Sequence, residues 1–381
     1  MSSAPHSPIM AMTPTIQSAL SRYHSEIDSA LRATLSSVLQ EGLASGANDL
    51  QTYYGLLQYH LGWVDAQFSP IHNNSGKLLR PTLLLLAYEA AGAWDLDTSD
   101  HAYLQRALPA AVSVELAHNF TLIHDDIEDG DAERRHRSTL WKLWGVPQAI
   151  NAGDGMFALA RLSLWGVLEQ GVEGMIAARL GQALDQACLI LAEGQYLDIS
   201  FEQLQTISVS TYIDMIYRKT GALMQCATHM GALLGTRDQE TIDSLTQFGQ
   251  AIGIAFQMRD DMLGVWASTA ELGKTPAGDI YRRKKSLPIL HALEHASPTE
   301  QQILRSIYQQ ESPVSEKQVE QVLTIFEHTK TRAYCRLFLA EHCRQAFEAL
   351  HNVPPSPQSV ATRARADMEA LVHFIANMPH A

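Results

Sequence analysis

The sequence predicts an all-α chain, and three observations carry that prediction. Apolar residues recur at helical spacing: Ile176, Leu180, Leu184, Cys188 and Leu191 fall on one helix face, as do Leu245, Phe248, Ile252 and Phe256. Alternating strand patterns are scarce from Ile16 onward. Helix-start chemistry is explicit at Ser297-Pro298-Thr299-Glu300, which sets an N-cap, a first-turn proline and a capping-box glutamate in order.

Composition agrees. Of 381 residues 46% are apolar and 18% charged, against roughly 25% charged in an ordinary soluble protein, so a large core is available and disorder is excluded for most of the chain. Lys plus Arg less Asp plus Glu is 28 − 41 = −13, which argues against bulk binding of nucleic acid or anionic membrane. The longest apolar run, Leu83 to Tyr88, stops at Glu89 and falls short of the ~20 residues of a spanning helix, so no membrane span is expected. Cys188, Cys226, Cys335 and Cys343 form neither a metal-like pair nor a disulfide framework, and a reducing cytoplasm fits. Residues 1–15 hold Ser, Pro and Met without charge and are expected to form a disordered arm. No linker or repeat divides the remainder, so residues 16–381 are expected to make a single domain.

Taken in order, Lys77 and Arg80 stand three residues apart where a helix can begin, ahead of the leucine run. Next comes a long apolar helix, Ala110 to Ile123, whose last turns carry Asp125, Asp126 and Asp129. On a helix Asp125 and Asp129 share a face with His118 two turns upstream, and Arg134 and Arg135 follow directly. Hard oxygen ligands at that spacing beside paired guanidiniums suit Mg²⁺ holding a diphosphate. Taken alone, the segment reads more readily as a solvated helix end with compensating arginines. Lys219-Thr220-Gly221 sits in a further helical stretch, where the lysine either meets an anion or snorkels to solvent. Gln257, Asp260 and Asp261 then end another apolar helix, and Gln250, Gln257 and Asp261 repeat the 7-then-4 spacing of His118, Asp125 and Asp129. Two such helices can face each other across a cavity. Lys274, Asp279 and Lys284-Lys285-Ser286-Leu287-Pro288 follow, with both lysines available to close over a phosphate or simply to charge the surface. Pro354, Pro355 and Pro357 break the chain before a last helix near Ala366 to Met378.

Over roughly residues 40 to 350 this ordered set resembles the trans-isoprenyl diphosphate synthases, the polyprenyl synthetase family, and specifically its geranylgeranyl diphosphate synthase-like members. The resemblance implies an isoprenoid synthase bundle of long helices around a deep central cavity, usually a homodimer. It implies a prenyltransferase that joins isopentenyl diphosphate to an allylic diphosphate, with Asp125, Asp126, Asp129 and Asp260 on three Mg²⁺. Arg134, Lys219, Lys274 and Lys284 would then contact the allylic diphosphate, with Thr220, Gln257 and Asp261 at its edge; Lys77, Arg80, His118 and Arg135 would hold isopentenyl diphosphate. Asp125, Asp126, Lys219 and Asp260 carry the ionisation in this reading. Phe120, five residues before Asp125 and about 7.5 Å down the helix at ~1.5 Å per residue, would limit chain length with Thr121, giving a C20 product first and C15 second. The ring is as readily ordinary core packing. Gly264 stands where many members have a third aspartate, Ser75 where glycine is usual and Leu78 where a basic residue is common. The rival readings are a class I terpene cyclase, in which Lys77, Arg80 and His118 would be idle, and a non-catalytic regulatory partner subunit.

Overall fold

The computed structural model describes residues 14–44, 50–71, 76–97, 101–204, 207–267 and 277–377. The chain runs α1 (Pro14–Arg22), α2 (His24–Ala44), α3 (Leu50–His60), α4 (Leu79–Ala90), α5 (Leu108–Glu128), a hairpin of β1 (Glu133–Arg134) and β2 (Arg137–Ser138), α6 (Leu140–Trp144), α7 (Val146–Leu164), α8 (Gly174–Gln203) and α9 (Val209–Ile216). A π-helical turn, Tyr217–Gly221, leads into α10 (Ala222–Gly235) and α11 (Gln239–Trp266). After these come α12 (Gly278–Tyr281), α13 (Leu287–His295), α14 (Pro298–Gln309), α15 (Glu316–His328), α16 (Thr331–His351) and α17 (Ser359–Ala376).

The centre is set by sequence. α10 carries no Asp, Glu, Lys or Arg, and a helix apolar all round must be buried. It packs on α4, α8 and α11. The leucine run of α4 is likewise enclosed, with Leu83, Leu84 and Leu85 at 0% exposure. α5 lies against α7 and α4, and α16 against α11, so the long helices form a bundle whose two acidic segments sit on α5 and α11. The capping box at Ser297 and Glu300 forms as expected, and Ser315 with Gln318 makes a second. All four cysteines are free and buried.

Both ends of the bundle depart from expectation. Helix α1 begins at Pro14, inside the expected arm, and residues 1–13 lie outside the described residues. The last helix starts at Ser359 instead of Ala366, because the chain needs only the stretch 353–358 to accommodate its prolines before the apolar face of Val360, Ala361, Ala364 and Met368 can pack. Arg22 reaches Asp367 of that helix at 2.6 Å. Arg259, buried on α11, donates from Nη1 to the carbonyls of Phe374 (2.7 Å), Ile375 (3.0 Å) and Asn377 (2.8 Å), satisfying the open end of α17.

One stretch of α8, Gly174–Phe201, is long and apolar enough to cross a membrane, which the unbroken-run criterion passed over. It is partly buried against the bundle, and its exposed side carries Met175, Leu189 and Tyr196.

Candidate active site

A cavity of about 420 Å³ opens among α5, α8, the π-helical turn and α10. Its wall is apolar at Phe120, Leu191, Cys188 and Leu223 and polar at Arg80, His118, Asp125, Lys219 and Thr220. The Phe120 ring meets Phe157 edge-on, centroids 5.0 Å apart, so a second aromatic backs it. Thr121 also lines the cavity, its hydroxyl turned back to the His118 carbonyl at 2.8 Å.

Asp125 and Asp126 occupy the last turn of α5, with Asp129 as its C-cap. Asp126 is buried and accepts from Arg134 Nε at 2.6 Å. The β-hairpin that sequence reading missed delivers that arginine, turning through Arg135 and His136 at φ 52° and 61°. Asp125 has no hydrogen bond or ion pair on its carboxylate among the described residues, and burial raises it to about 6, Lys219 opposing the rise. Asp126 is raised for the same reason, against Arg134.

Lys219 enters from the π-helical turn. One residue more than an α-helical turn would hold rotates it toward the cavity, a distortion common at functional sites. Its ammonium meets Asp198 of α8 at 2.6 Å. Helix α8 comes this close because residue 194 is glycine: a Cβ there would stand 2.4 Å from the Lys219 amide nitrogen. Thr220 Oγ1 donates to Gln257 Oε1 at 3.0 Å, linking the turn to α11.

On α11 the two aspartates separate. Asp261 has no exposed surface and is fully engaged: Tyr212 donates to Oδ2, while Gln257 (3.2 Å) and Lys284 (3.0 Å) donate to Oδ1. Asp260 is exposed and has no side-chain partner among the described residues; the surrounding protein raises it to about 6, with Asp261 adding to the rise and Lys284 and Lys77 opposing it. Lys285 does not join the site. It caps the end of α8, donating to the Phe201 (2.8 Å) and Leu204 (2.6 Å) carbonyls, because those terminal groups are left open by the helix. Lys274 and Ser75 lie outside the described residues.

A second basic group gathers behind α5. Arg80 Nε is buried without a partner, and the guanidinium faces Glu115, Asp260 and Asp125. Arg135 lies over the Lys77 loop, where a side chain at Gly76 would begin 2.8 Å from its Nη2. Burial, reinforced by Arg80, Arg135 and Arg134, holds His118 well below the usual histidine range, so it is a neutral donor and not the cation its neighbours suggest. Sequence reading missed three members of this group. Burial lifts Glu115 to about 7, His60 is lowered to about 3, and Asn119 donates to Glu115 Oε1 at 2.9 Å. Only the helical spacing of 115, 118 and 119 hinted at Glu115 and Asn119, and nothing in the sequence marked His60.

Asp125 and Asp260 thus act on one guanidinium, that of Arg80, from different helices. Among the described residues no three His, Cys, Asp or Glu side chains stand close enough to hold an ion alone, so a metal there must take further oxygens from its ligand or from water.

The comparisons agree with this geometry. The pattern that defines the family described as polyprenyl synthetase matches residues 62–326. Geranylgeranyl diphosphate synthase of Mycobacterium tuberculosis is 36% identical over 330 residues, covering 87% of this chain and 89% of that protein. A (2E,6E)-farnesyl diphosphate synthase of Mycobacterium bovis is 34% identical and covers 84% of each. The crystal structure of a polyprenyl synthetase from Streptomyces coelicolor superposes with a TM-score of 0.81 at 34% identity, over 94% of this chain and 99% of that one. By its motifs, its bundle and these likenesses, the chain belongs to the polyprenyl synthetase family.

Proposed function

We propose that this chain is a trans-prenyltransferase that joins isopentenyl diphosphate to an allylic diphosphate and releases a C20 product, with C15 the second choice. The observation that carries the reading is Asp125, a partly buried carboxylate without a side-chain partner on the wall of an apolar cavity, with Asp260 of the second acidic segment acting on the same Arg80 guanidinium.

Asp125 and Asp260 fit Mg²⁺: both are hard oxygen donors held above the usual carboxylate range by the surrounding protein, and a divalent cation would relieve that penalty. Asp126 and Asp129 complete the proposed set of ligands, for up to three ions. When bound, Mg²⁺ neutralises the diphosphate and helps it to leave. Lys219, Lys284 and Arg134 are each paired with a carboxylate at 2.6 to 3.0 Å, and an incoming diphosphate competes for the same donors. There they stabilise the charge that grows as the allylic C–O bond breaks. Lys77, Arg80, Arg135 and neutral His118 hold the second diphosphate, setting the isopentenyl double bond toward the allylic carbon. The double bond attacks that carbon, a new C–C bond forms, and a proton leaves to the departing diphosphate. Phe120, Leu191 and Leu223 keep water from the cation.

The relatives named above make geranylgeranyl and farnesyl diphosphates by name, and Phe120 backed by Phe157 gives the cavity a closed aromatic side consistent with a short chain. Exposed Leu162, Trp165, Met175, Leu189 and Tyr196 along α7 and α8 support a homodimer through that flank. Incubating the protein with Mg²⁺, isopentenyl diphosphate and each allylic diphosphate tests the reading. A prenyl diphosphate of fixed length supports it. Hydrocarbon from an allylic substrate alone would make the chain a cyclase, and turnover only with a second protein would make it a regulatory subunit.

A further inference from the structure

We propose that Arg137 is a positioning residue for isopentenyl diphosphate: gripping the end of α3, it holds the turn between β1 and β2 in the left-handed conformation that presents Arg135. The inference rests on the prenyl-transfer reading and deepens it.

The hairpin pairs Glu133 with Ser138 and Arg134 with Arg137, which leaves Arg135 and His136 as a two-residue loop. Both have positive φ, 52° and 61°, the signature of a type I′ turn. Such turns favour Asn-Gly or Gly-Gly, because a Cβ in the left-handed region crowds the following carbonyl. Two large side chains in succession therefore disfavour this backbone, and it persists only where its surroundings fix it.

Arg137 does the fixing. Its Nη1 donates to the Tyr59 carbonyl at 3.0 Å and its Nη2 to the Val64 carbonyl at 2.6 Å, while the guanidinium lies over the Tyr59 ring, 3.9 Å from the centroid. Tyr59 returns the grip: its hydroxyl donates to the Ser138 carbonyl at 2.8 Å, and Trp144 backs the ring edge-on at 5.0 Å. Both terminal nitrogens of Arg137 thus bind backbone, which assigns the residue to the hairpin and not to the ligand. The two arginines ahead of it are held differently. Arg134 has its own bond to Asp126 at 2.6 Å, whereas Arg135 is carried on the turn itself. The Arg135 guanidinium reaches the Lys77 loop, with Nη2 2.8 Å from where a Cβ on Gly76 would stand, and its charge acts on Glu115 and His118. A turn relaxed to negative φ would swing that guanidinium away from the second basic group.

The test is steady-state kinetics with each diphosphate varied in turn. Arg137→Met keeps the apolar stem and removes the donors. KM for isopentenyl diphosphate should rise about tenfold, as it does when a binding group is displaced, with KM for the allylic diphosphate within about threefold of the parent. A merely destabilised enzyme would lose kcat and keep both KM values. Arg137→Lys retains the charge without the fork that spans two carbonyls, so it should behave as Arg137→Met; parent-like kinetics there would overturn the proposal. Adding His136→Gly to Arg137→Met relieves one disfavoured φ and should bring KM for isopentenyl diphosphate back to within about threefold of the parent. An unrepaired KM in that double variant, with circular dichroism showing it folded, also overturns the proposal. Should Arg137→Met not fold, Tyr59→Phe replaces it: losing the bond to Ser138 should raise the same KM about threefold, and an unchanged KM overturns the proposal. Loss of kcat with both KM values unchanged, or equal rises in both, sinks this inference alone. A parent that makes no prenyl diphosphate from the two substrates sinks the underlying reading instead.

Discussion

In the proposed site a single carboxylate, Asp125, carries much of the attraction for a cation. Asp125 bears the cost of burial without a fixed partner, so its replacement removes a binding group and no core contact. Asp125→Ala should lower turnover by at least about 10²-fold with the helical circular dichroism unchanged; near-parent turnover would remove the residue from the metal set. Phe120→Ala opens the wall against Phe157, and product analysis should show chains longer than the parent's. An unchanged product would place the limit elsewhere. His291, far from this chemistry, offers a stability probe. It is buried, stacks on His295 and Tyr334, bonds Thr331 at 2.9 Å and lies within reach of Glu294, and burial lowers it to about 4. The folded chain keeps it neutral while the unfolded chain takes up a proton below about pH 6.5, so its stabilisation is present above that pH and is lost as pH falls toward 4. The stability advantage of the parent over His291→Gln should therefore shrink by on the order of 1 kcal/mol from pH 7 to pH 5. A constant difference in denaturant titrations would contradict this.

Elements bring these residues together through departures from regular geometry. The π-helical turn at Tyr217–Gly221 and the approach of α8 at Gly194 belong to one arrangement, since the glycine leaves room for the Lys219 amide. Gly194→Ala must push the two apart, with an expected cost of about 1–3 kcal/mol and a larger loss of kcat than a distant surface change of equal destabilisation. Equal losses would reduce Lys219 to a bystander. Here the sequence was least informative. Periodicity placed Asp125 and Asp260 at the ends of long helices, and the Ser297 box was readable because capping is local. The π turn, the hairpin that carries Arg134 and the capture of Asp261 by Tyr212 arise from contacts between distant segments, and no spacing rule encodes them. Lys284 and Lys285 look alike in sequence, yet one holds a buried aspartate and the other caps α8, because successive side chains point to different neighbours. The Asp279 carboxyl that lies against Gly264 is likewise a contact no spacing rule foretells.

On the scale of the whole molecule, the exposed apolar flank of α7 and α8 is the feature that asks for a partner. A second copy would cover it, and Leu189→Asp, at a position 62% exposed, should then halve the mass measured by light scattering without lowering helix content. A parent that already runs as one chain would refute the homodimer. The same scale joins the far end of the chain to the reaction. Arg259 grips the last turn of α17 and sits next to Asp260, so the last carbonyls of that helix and the proposed metal site are tied to one backbone segment. Whoever purifies this protein should therefore put an affinity handle ahead of Pro14, because cargo fused past Asn377 would tug on Arg259, the neighbour of the proposed ligand Asp260.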